Sequence, residues 1–353
     1  MKLIVTNTYT HVEGSKHAQF LASHALKYFV PNREAAIRRS GVRGWDGSKS
    51  MHDARKKRFP AGLTDIVTQY LDSMGCLYEV ADIRKAPGRP TWPIQLHGIE
   101  LRDYQEQSVT RFLSAGRGIL KLGTGGGKTE ISIAITKAIA RPTMFLTHRV
   151  NLLYQSAERY VKRWPECKPR IGIIGDGNMN FNEITFATVQ TLHSVIKKYG
   201  KAAHEELAKY NLMIVDEAHR IGATQFHECA GALPNAYWRL GLTATPFMSE
   251  DPSDNMHLRG AIGDVIHEVT ASTLIDAGVL AKPFFKFFVI NEPNNISSLK
   301  NWRDIYEKGI VNNIFRNKII SENTAKLVGM GYKPLVIVTE VAHGEALNAS
   351  LLA

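Results

Sequence analysis

A chain of 353 residues with 44 lysines and arginines against 33 aspartates and glutamates carries a formal charge of +11. It is long enough for two or three domains, and its charge suits a polyanionic partner. Three scattered cysteines, Cys76, Cys167 and Cys229, lack metal-ligand spacing, which excludes a disulfide scaffold and a zinc module and leaves reduced thiols. No stretch approaches the length of a membrane span, and Met1-Lys2-Leu3-Ile4-Val5 lacks the apolar run of a secretion signal, so a cytoplasmic location is expected.

Residues 1–85 predict a small α+β domain. Its elements are an alternating strand from Leu3 to Val12, then a helix with Phe20, Leu21, Ala25, Leu26 and Phe29 on one face. A hairpin through Gly44-Trp45-Asp46-Gly47 comes next, before a helix carrying Leu63, Ile66, Val67, Tyr70 and Leu71 and a strand through Tyr78 and Val80. Around the hairpin lie Arg33, Arg38, Arg39, Arg43, Lys49, Arg55, Lys56, Lys57 and Arg58. This density is suited to gripping the phosphates of a duplex, with Arg43 and Trp45 as candidate DNA contacts. The alternative is a solvated basic face with Trp45 as a core aromatic. A linker at 86–94, rich in proline and glycine, ends the domain.

From 95 to 270 short apolar strands alternate with helical patterns, which predicts right-handed βαβ crossovers and a parallel sheet flanked by helices. Gly118-Ile119-Leu120, the loop Gly123-Thr124-Gly125-Gly126-Gly127-Lys128-Thr129 and the helix-forming Glu130-Ile131-Ser132-Ile133-Ala134 follow the strand, loop, helix order of a phosphate cradle. The glycines free backbone N–H groups for the anion. Lys128 would reach the β and γ phosphates, and the Thr129 hydroxyl would sit on Mg²⁺. Leu122 stands where the strict G-x-x-x-x-G-K-[ST] pattern has glycine, so the match is to the looser Thr-Gly-x-Gly-Lys-Thr form.

The apolar run Leu212-Met213-Ile214-Val215 reads as a strand buried on both faces, with Asp216 emerging at its ligand-binding end. There Asp216 would hold the metal through water, and Glu217 would orient or deprotonate the attacking water. His219 follows closely, and Leu240-Gly241-Leu242 leads into Thr243-Ala244-Thr245-Pro246.

With Asp216-Glu217-Ala218-His219 and Thr243-Ala244-Thr245-Pro246 in this order, the chain resembles the superfamily 2 helicases. The resemblance implies a RecA-like motor fold, ATP and Mg²⁺ as cofactors, and coupling of hydrolysis to movement on nucleic acid through His219, Thr243 and Thr245. It also implies adenine recognition by Tyr104 and Gln105 of Leu101-Arg102-Asp103-Tyr104-Gln105. Backbone contacts to nucleic acid fall to Thr147, His148 and Arg149, and to Thr188, Gln190 and Thr191. Gly44-Trp45-Asp46-Gly47 and the segment from Phe59 to Leu63 resemble the leading domain of the UvsW-type phage branch-migration helicases. The likeness is short in its motifs but spans both the leading domain and the motor, and it implies the host cytoplasm.

Beyond the motor, residues 271–283 are expected to connect to a partial second RecA-like lobe at 284–353. That lobe would have a strand over Lys282 to Ile290, a helix around Ile310 to Leu327, a strand over Pro334 to Thr339 and a helix beginning near Gly344. No Gln-x-x-Gly-Arg-x-x-Arg segment is present, so the charge-neutralising arginines of such a lobe are missing and the expectation is a fragment of a longer helicase with weak turnover. The expected function is ATP-dependent helicase or translocase activity on duplex or branched DNA, by a monomer with little sequence preference. An RNA helicase, a restriction-enzyme motor subunit and a non-catalytic, ATP-regulated DNA clamp remain alternatives.

Overall fold

The computed structural model describes residues 1–217, 223–249, 251–290, 296 and 298–352. Residues Met1–Ala281 pack as one compact unit and Lys282–Ala353 as another.

The alternating stretch expected as one strand from Leu3 to Val12 is two. β1 (Lys2–Val5) and β2 (Tyr9–Glu13) pair antiparallel, because the Thr6 hydroxyl donates to the Tyr9 carbonyl and accepts from the Tyr9 N–H and so folds the chain back. Then come α1 (Lys16–Ala25), β3 (Lys27–Phe29), α2 (Arg33–Ser40), β4 (Ser48–Ser50), β5 (Arg58–Pro60), α3 (Thr64–Ser73) and β6 (Glu79–Asp82). Gly44-Trp45-Asp46-Gly47 is not a simple hairpin turn: β4 pairs with β3, and α2 stands between them. Glu34 in the first turn of α2 and Gly41 in a left-handed conformation at its end favour this helix. A sheet ordered β5-β2-β1-β6 packs against α1 and α3. Its core holds Leu3, Val12, Leu21, Phe59, Val67 and Leu71, each such burial stabilising by roughly 1.5–3 kcal/mol.

The rest of this unit runs α4 (Asp103–Ala115), β7 (Arg117–Leu122), α5 (Lys128–Ile139), β8 (Thr143–Thr147), α6 (Val150–Arg163), β9 (Ile171–Gly175), β10 (Asn178–Met179) and β11 (Ile184–Thr188). It continues with α7 (Val189–Tyr199), α8 (Lys201–Leu207), β12 (Leu212–Asp216), α9 (Ala223–Gly231), β13 (Trp238–Thr243), α10 (Pro252–Ile262), β14 (Val265–Val269) and α11 (Ala271–Asp276). The strands form an 8-stranded sheet, β10-β9-β11-β8-β12-β13-β7-β14, parallel except for β10. Successive side chains on a strand serve opposite faces: Ile214 packs with Phe112, Ile131 and Tyr160 of α4, α5 and α6. Met213 and Val215 pack with Leu192, Phe226 and Leu258 of α7, α9 and α10. This is the helix-flanked parallel sheet that the strand pattern predicts and the RecA-like α/β architecture that the resemblance implies.

The leading sheet is tied to the foot of the motor sheet. Arg239, fully buried, donates to the carbonyls of Ala230, Leu233, Ala236 and Ala261 and to the Thr8 hydroxyl at 3.0 Å. Arg117 donates to the Asn7 carbonyl at 2.8 Å. A β-carbon at Gly62 would collide with the Arg259 carbonyl, so only glycine lets the two backbones meet.

In the second unit α12 (Trp302–Tyr306) leads through a π-turn at Glu307–Val311 to α13 (Ile314–Gly329), followed by α14 (Val341–Leu352). The helices α13 and α14 meet through His343 and Asn317, 3.0 Å apart. The strands expected at 282–290 and 334–339 do not form. A strand is completed by a neighbour's hydrogen bonds, and among the described residues neither segment has one, so Phe284, Phe287, Val289, Leu335 and Ile337 stay exposed.

Candidate active site

Parallel pairing sets the candidate residues at one level. Thr188 lies beside Thr147, Val215 beside Leu146, Asp216 beside Leu242, and Thr243 beside Lys121 near the end of β7. The carboxyl ends of β11, β8, β12, β13 and β7 therefore share one edge, where sheets of this kind bind ligands.

The loop after β7 turns through left-handed backbone at Gly125 and Gly127, with φ of 84° and 77°. Gly127 caps α5, and a β-carbon there would run into Nε2 of Gln105. Thr124 and Gly125 are exposed, so the loop faces solvent at the N-terminus of α5, where unpaired N–H groups favour an anion.

Lys128 and Glu217 meet across this loop, with Nζ and Oε1 3.0 Å apart. Asp216 ends β12 beside them. Burial pushes its carboxyl up to about 6, the neighbouring Glu217 carboxylate adds to the rise, and Lys128 opposes it. Thr129, Gln155, Ser156, Arg159 and Asp216 line one cleft of about 380 Å³, and the Thr129 hydroxyl and Asp216 carboxylate are hard oxygen donors of the kind a small divalent cation takes. A larger groove of about 870 Å³ along α4 and β14, past Trp92, Arg111 and His267, contains none of these residues.

Tyr104 and Gln105 are buried at the start of α4. The Gln105 amide accepts from the Arg102 N–H at 3.0 Å and donates to the Gly126 carbonyl at 3.4 Å, which ties it to the glycine-rich loop. His219 lies outside the described residues. Thr243 is buried at the end of β13, and its hydroxyl accepts from the N–H of the exposed Thr245 at 3.2 Å.

Of the residues expected to face nucleic acid, Arg149 and Gln190 are exposed, and His148 and Thr191 partly so. Thr147 and Thr188 are corrected by burial. Thr147 is wholly enclosed, and Thr188 caps α7, its hydroxyl donating to Thr191 Oγ1 at 2.8 Å and accepting from the Thr191 N–H. Their side chains shape the strand ends and are not open to a ligand. In the leading segment, Arg33, Arg38, Arg39, Arg43, Lys49, Arg55, Lys56 and Lys57 are exposed, and α2 buries nothing. Trp45 is half-buried and donates its indole N–H to the Ser48 carbonyl at 2.7 Å, which removes it from the core cluster of that sheet.

Arg159 escaped the sequence reading. Its signal is helical spacing: Leu152, Gln155 or Ser156, and Arg159 recur on the face of α6 that lines the cleft, and Arg159 pairs with Glu130 at 2.9 Å.

Residues 98–248 match the family model of the type III restriction enzyme res subunit. The chain is 33% identical over 155 residues to the DNA 3'-5' translocase XPB2 of Sulfurisphaera tokodaii, covering 44% of this chain and 33% of that protein. It is 27% identical over 288 residues to a putative DNA 3'-5' helicase Rad25 of Halobacterium salinarum, covering 78% of this chain and 44% of that protein. The chain thus spans less than half the length of these relatives. Among solved structures its fold is similar to that of the UvsW helicase from bacteriophage T4, with a TM-score of 0.64 at 17% identity over 76% of this chain and 100% of that one. A second T4 UvsW structure aligns with a TM-score of 0.65 at 17% identity, over 100% of this chain and 73% of that one.

Proposed function

We propose that this chain, a superfamily 2 helicase in its motifs with a UvsW-like fold, acts as an ATP-dependent DNA helicase or translocase on duplex or branched DNA. One observation carries the proposal: Lys128, Glu217, Asp216 and Thr129 converge at the sheet edge that also bears the ends of β8 and β11. A nucleotide site and a strand-binding surface are thereby joined by one sheet.

In this reading the backbone of Gly123 to Gly127 and the start of α5 hold the phosphates of ATP. Thr129, and Asp216 through water, would hold Mg²⁺, which would neutralise charge on the β and γ phosphates. Lys128 exchanges Glu217 for the phosphates, which releases the Glu217 carboxylate to orient or deprotonate the attacking water. Tyr104 and Gln105 set the adenine end of the site, while His219, Thr243 and Thr245 couple hydrolysis to movement. Arg149, Gln190 and Thr191 contact one strand, and the exposed cations of α2 with Arg43 hold the duplex. Such contacts go to phosphates, so affinity falls steeply with salt and depends little on sequence. Residues 1–85 serve as a DNA-gripping domain, 95–270 as the first motor lobe and 284–353 as part of a second. The polymer is taken as DNA, in keeping with the relatives named for DNA translocation.

The test is ATP hydrolysis in single turnover with forked DNA, linear duplex and RNA at equal nucleotide concentration. Stimulation is expected from DNA, strongest with the fork. Stimulation by RNA alone would reassign the polymer, and no nucleotide binding at all would remove the site.

A further inference from the structure

We infer that Tyr160 is a positioning residue that ties the phosphate-loop helix α5 to the strands leading to the nucleic-acid surface, so that each ligand alters the affinity for the other; this rests on the function proposed above.

Tyr160 is fully buried on the inner face of α6, the helix that Arg149 begins. Its hydroxyl donates to Ser132 Oγ at 3.1 Å and lies 3.1 Å from Thr136 Oγ1. Ser132 in turn donates to the Thr129 carbonyl at 2.7 Å, and Thr136 donates to the Ser132 carbonyl at 2.8 Å. Three buried hydroxyls thus run from α6 to the first turn of α5, ending on Thr129, which lines the cleft beside Asp216. The tyrosine ring meets Phe186 of β11 edge-on at 4.9 Å and Phe145 of β8 at 5.9 Å. These phenylalanines stand just upstream of Thr188 and Thr147, where the strands reach the surface of Arg149 and Gln190.

Hydroxyls enclosed among apolar side chains cost stability unless each is bonded, and a bonded set accepts only one arrangement of its helices. A second link between the same helices, Glu130 to Arg159 at 2.9 Å with Arg163 at 3.9 Å, ends one residue from Thr129. Movement of α6 or of the ends of β8 and β11 on taking a strand is therefore passed to Thr129 and Lys128. Tyr160 touches neither ligand and acts through Ser132.

Tyr160→Phe keeps the ring on Phe145 and Phe186 and removes only the hydroxyl; Ser132→Ala removes the other end of the same bond. The affinity of the whole chain for a fluorescent, non-hydrolysable ATP analogue is measured with and without saturating forked DNA, and DNA affinity with and without the analogue. The unaltered protein is expected to show a mutual change of about fivefold or more, equal in both directions. In Tyr160→Phe, Ser132→Ala and the double variant it falls within about twofold, with analogue affinity in the absence of DNA changed less than about twofold and the double variant no worse than either single one. Full mutual effect in both folded single variants overturns the inference, as does an unaltered protein that binds both ligands independently. If the unaltered protein binds no analogue, the proposed function fails first. Should Tyr160→Phe not fold by circular dichroism, Ser132→Ala decides.

Discussion

Lys128 Nζ and Glu217 Oε1 stand 3.0 Å apart, with side chains only 12% and 25% exposed, so the cation of the phosphate loop and the carboxylate that follows β12 neutralise one another across the cleft. The pair is an exchangeable one. In the proposed function, a phosphate arriving at Lys128 would compete with the carboxylate assigned to the attacking water.

Replacing Lys128 by Ala removes the cation from both arrangements. Hydrolysis is expected to fall by about 100-fold or more, the scale seen when a preorganised charge is lost from a reacting centre. Affinity for DNA, measured by fluorescence anisotropy, should stay within about twofold, since Lys128 belongs to the proposed nucleotide site and not to the proposed strand contacts. Retained hydrolysis would reject the site.

Glu217→Gln keeps the shape of the carboxylate and removes its basicity. Analogue binding should persist while the single-turnover rate drops by roughly 10²–10⁴. Asp216→Asn should instead raise the Mg²⁺ concentration needed for half-maximal binding, because its oxygen has lost the charge that a hard cation prefers. Identical behaviour of the two variants would contradict the division of roles.

Gly127→Ala places a methyl group against Gln105 Nε2 at a backbone φ of 77°. Strain of this kind costs about 1 kcal/mol or more. Displacing Gln105 also loosens its bond to the Gly126 carbonyl, so nucleotide affinity should fall further than thermal stability does. Calorimetry with and without the ATP analogue separates the two losses.

The seam between the leading sheet and the motor carries a pH dependence. His227 packs its ring 4.9 Å from that of His257, and burial, with His257 and Arg239 nearby, lowers its pKa to about 4 from the ordinary 6.5. The unfolded chain takes up a proton as pH falls through 6.5, whereas the native chain refuses it until about 4. Stability from this group is complete above 6.5 and is lost between 6.5 and 4, a loss on the order of 3 kcal/mol for the single group. Urea midpoints at pH 7 and pH 5 should differ, and His227→Phe should reduce the difference; an unchanged difference would assign it to other groups.

If the exposed cations of α2 and the nearby Arg43 hold DNA as proposed, the grip depends on salt. Changing Arg38, Arg39 and Arg43 to Ala together should weaken binding alike for all sequences. It should also flatten the plot of log affinity against log salt by roughly one unit for each phosphate no longer neutralised. Unaltered slope would leave this helix a solvated face.

The motor was legible for a local reason. Strands buried on both faces are continuous apolar runs, as in Leu212-Met213-Ile214-Val215, and a loop of glycines before Lys128 and Thr129 has few other conformational uses. The leading domain was less so. Its helix α2 buries no residue, so no apolar periodicity marks it, and Arg33, Arg38 and Arg39 read only as cations around a hairpin.

Amino-acid order alone marked the glycine loop between a strand and a helix and the carboxylates that follow a buried strand, because both depend on neighbours along the chain. Long-range competition for hydrogen bonds and for burial settled the rest. Packing enclosed Thr147 and turned Thr188 into a helix cap, engaged the Gln105 amide with the glycine-rich loop, and locked Arg239 onto Thr8. The apolar segments at 282–290 and 334–339 show the same rule from the other side: β-forming composition becomes a strand only where another strand completes its hydrogen bonds.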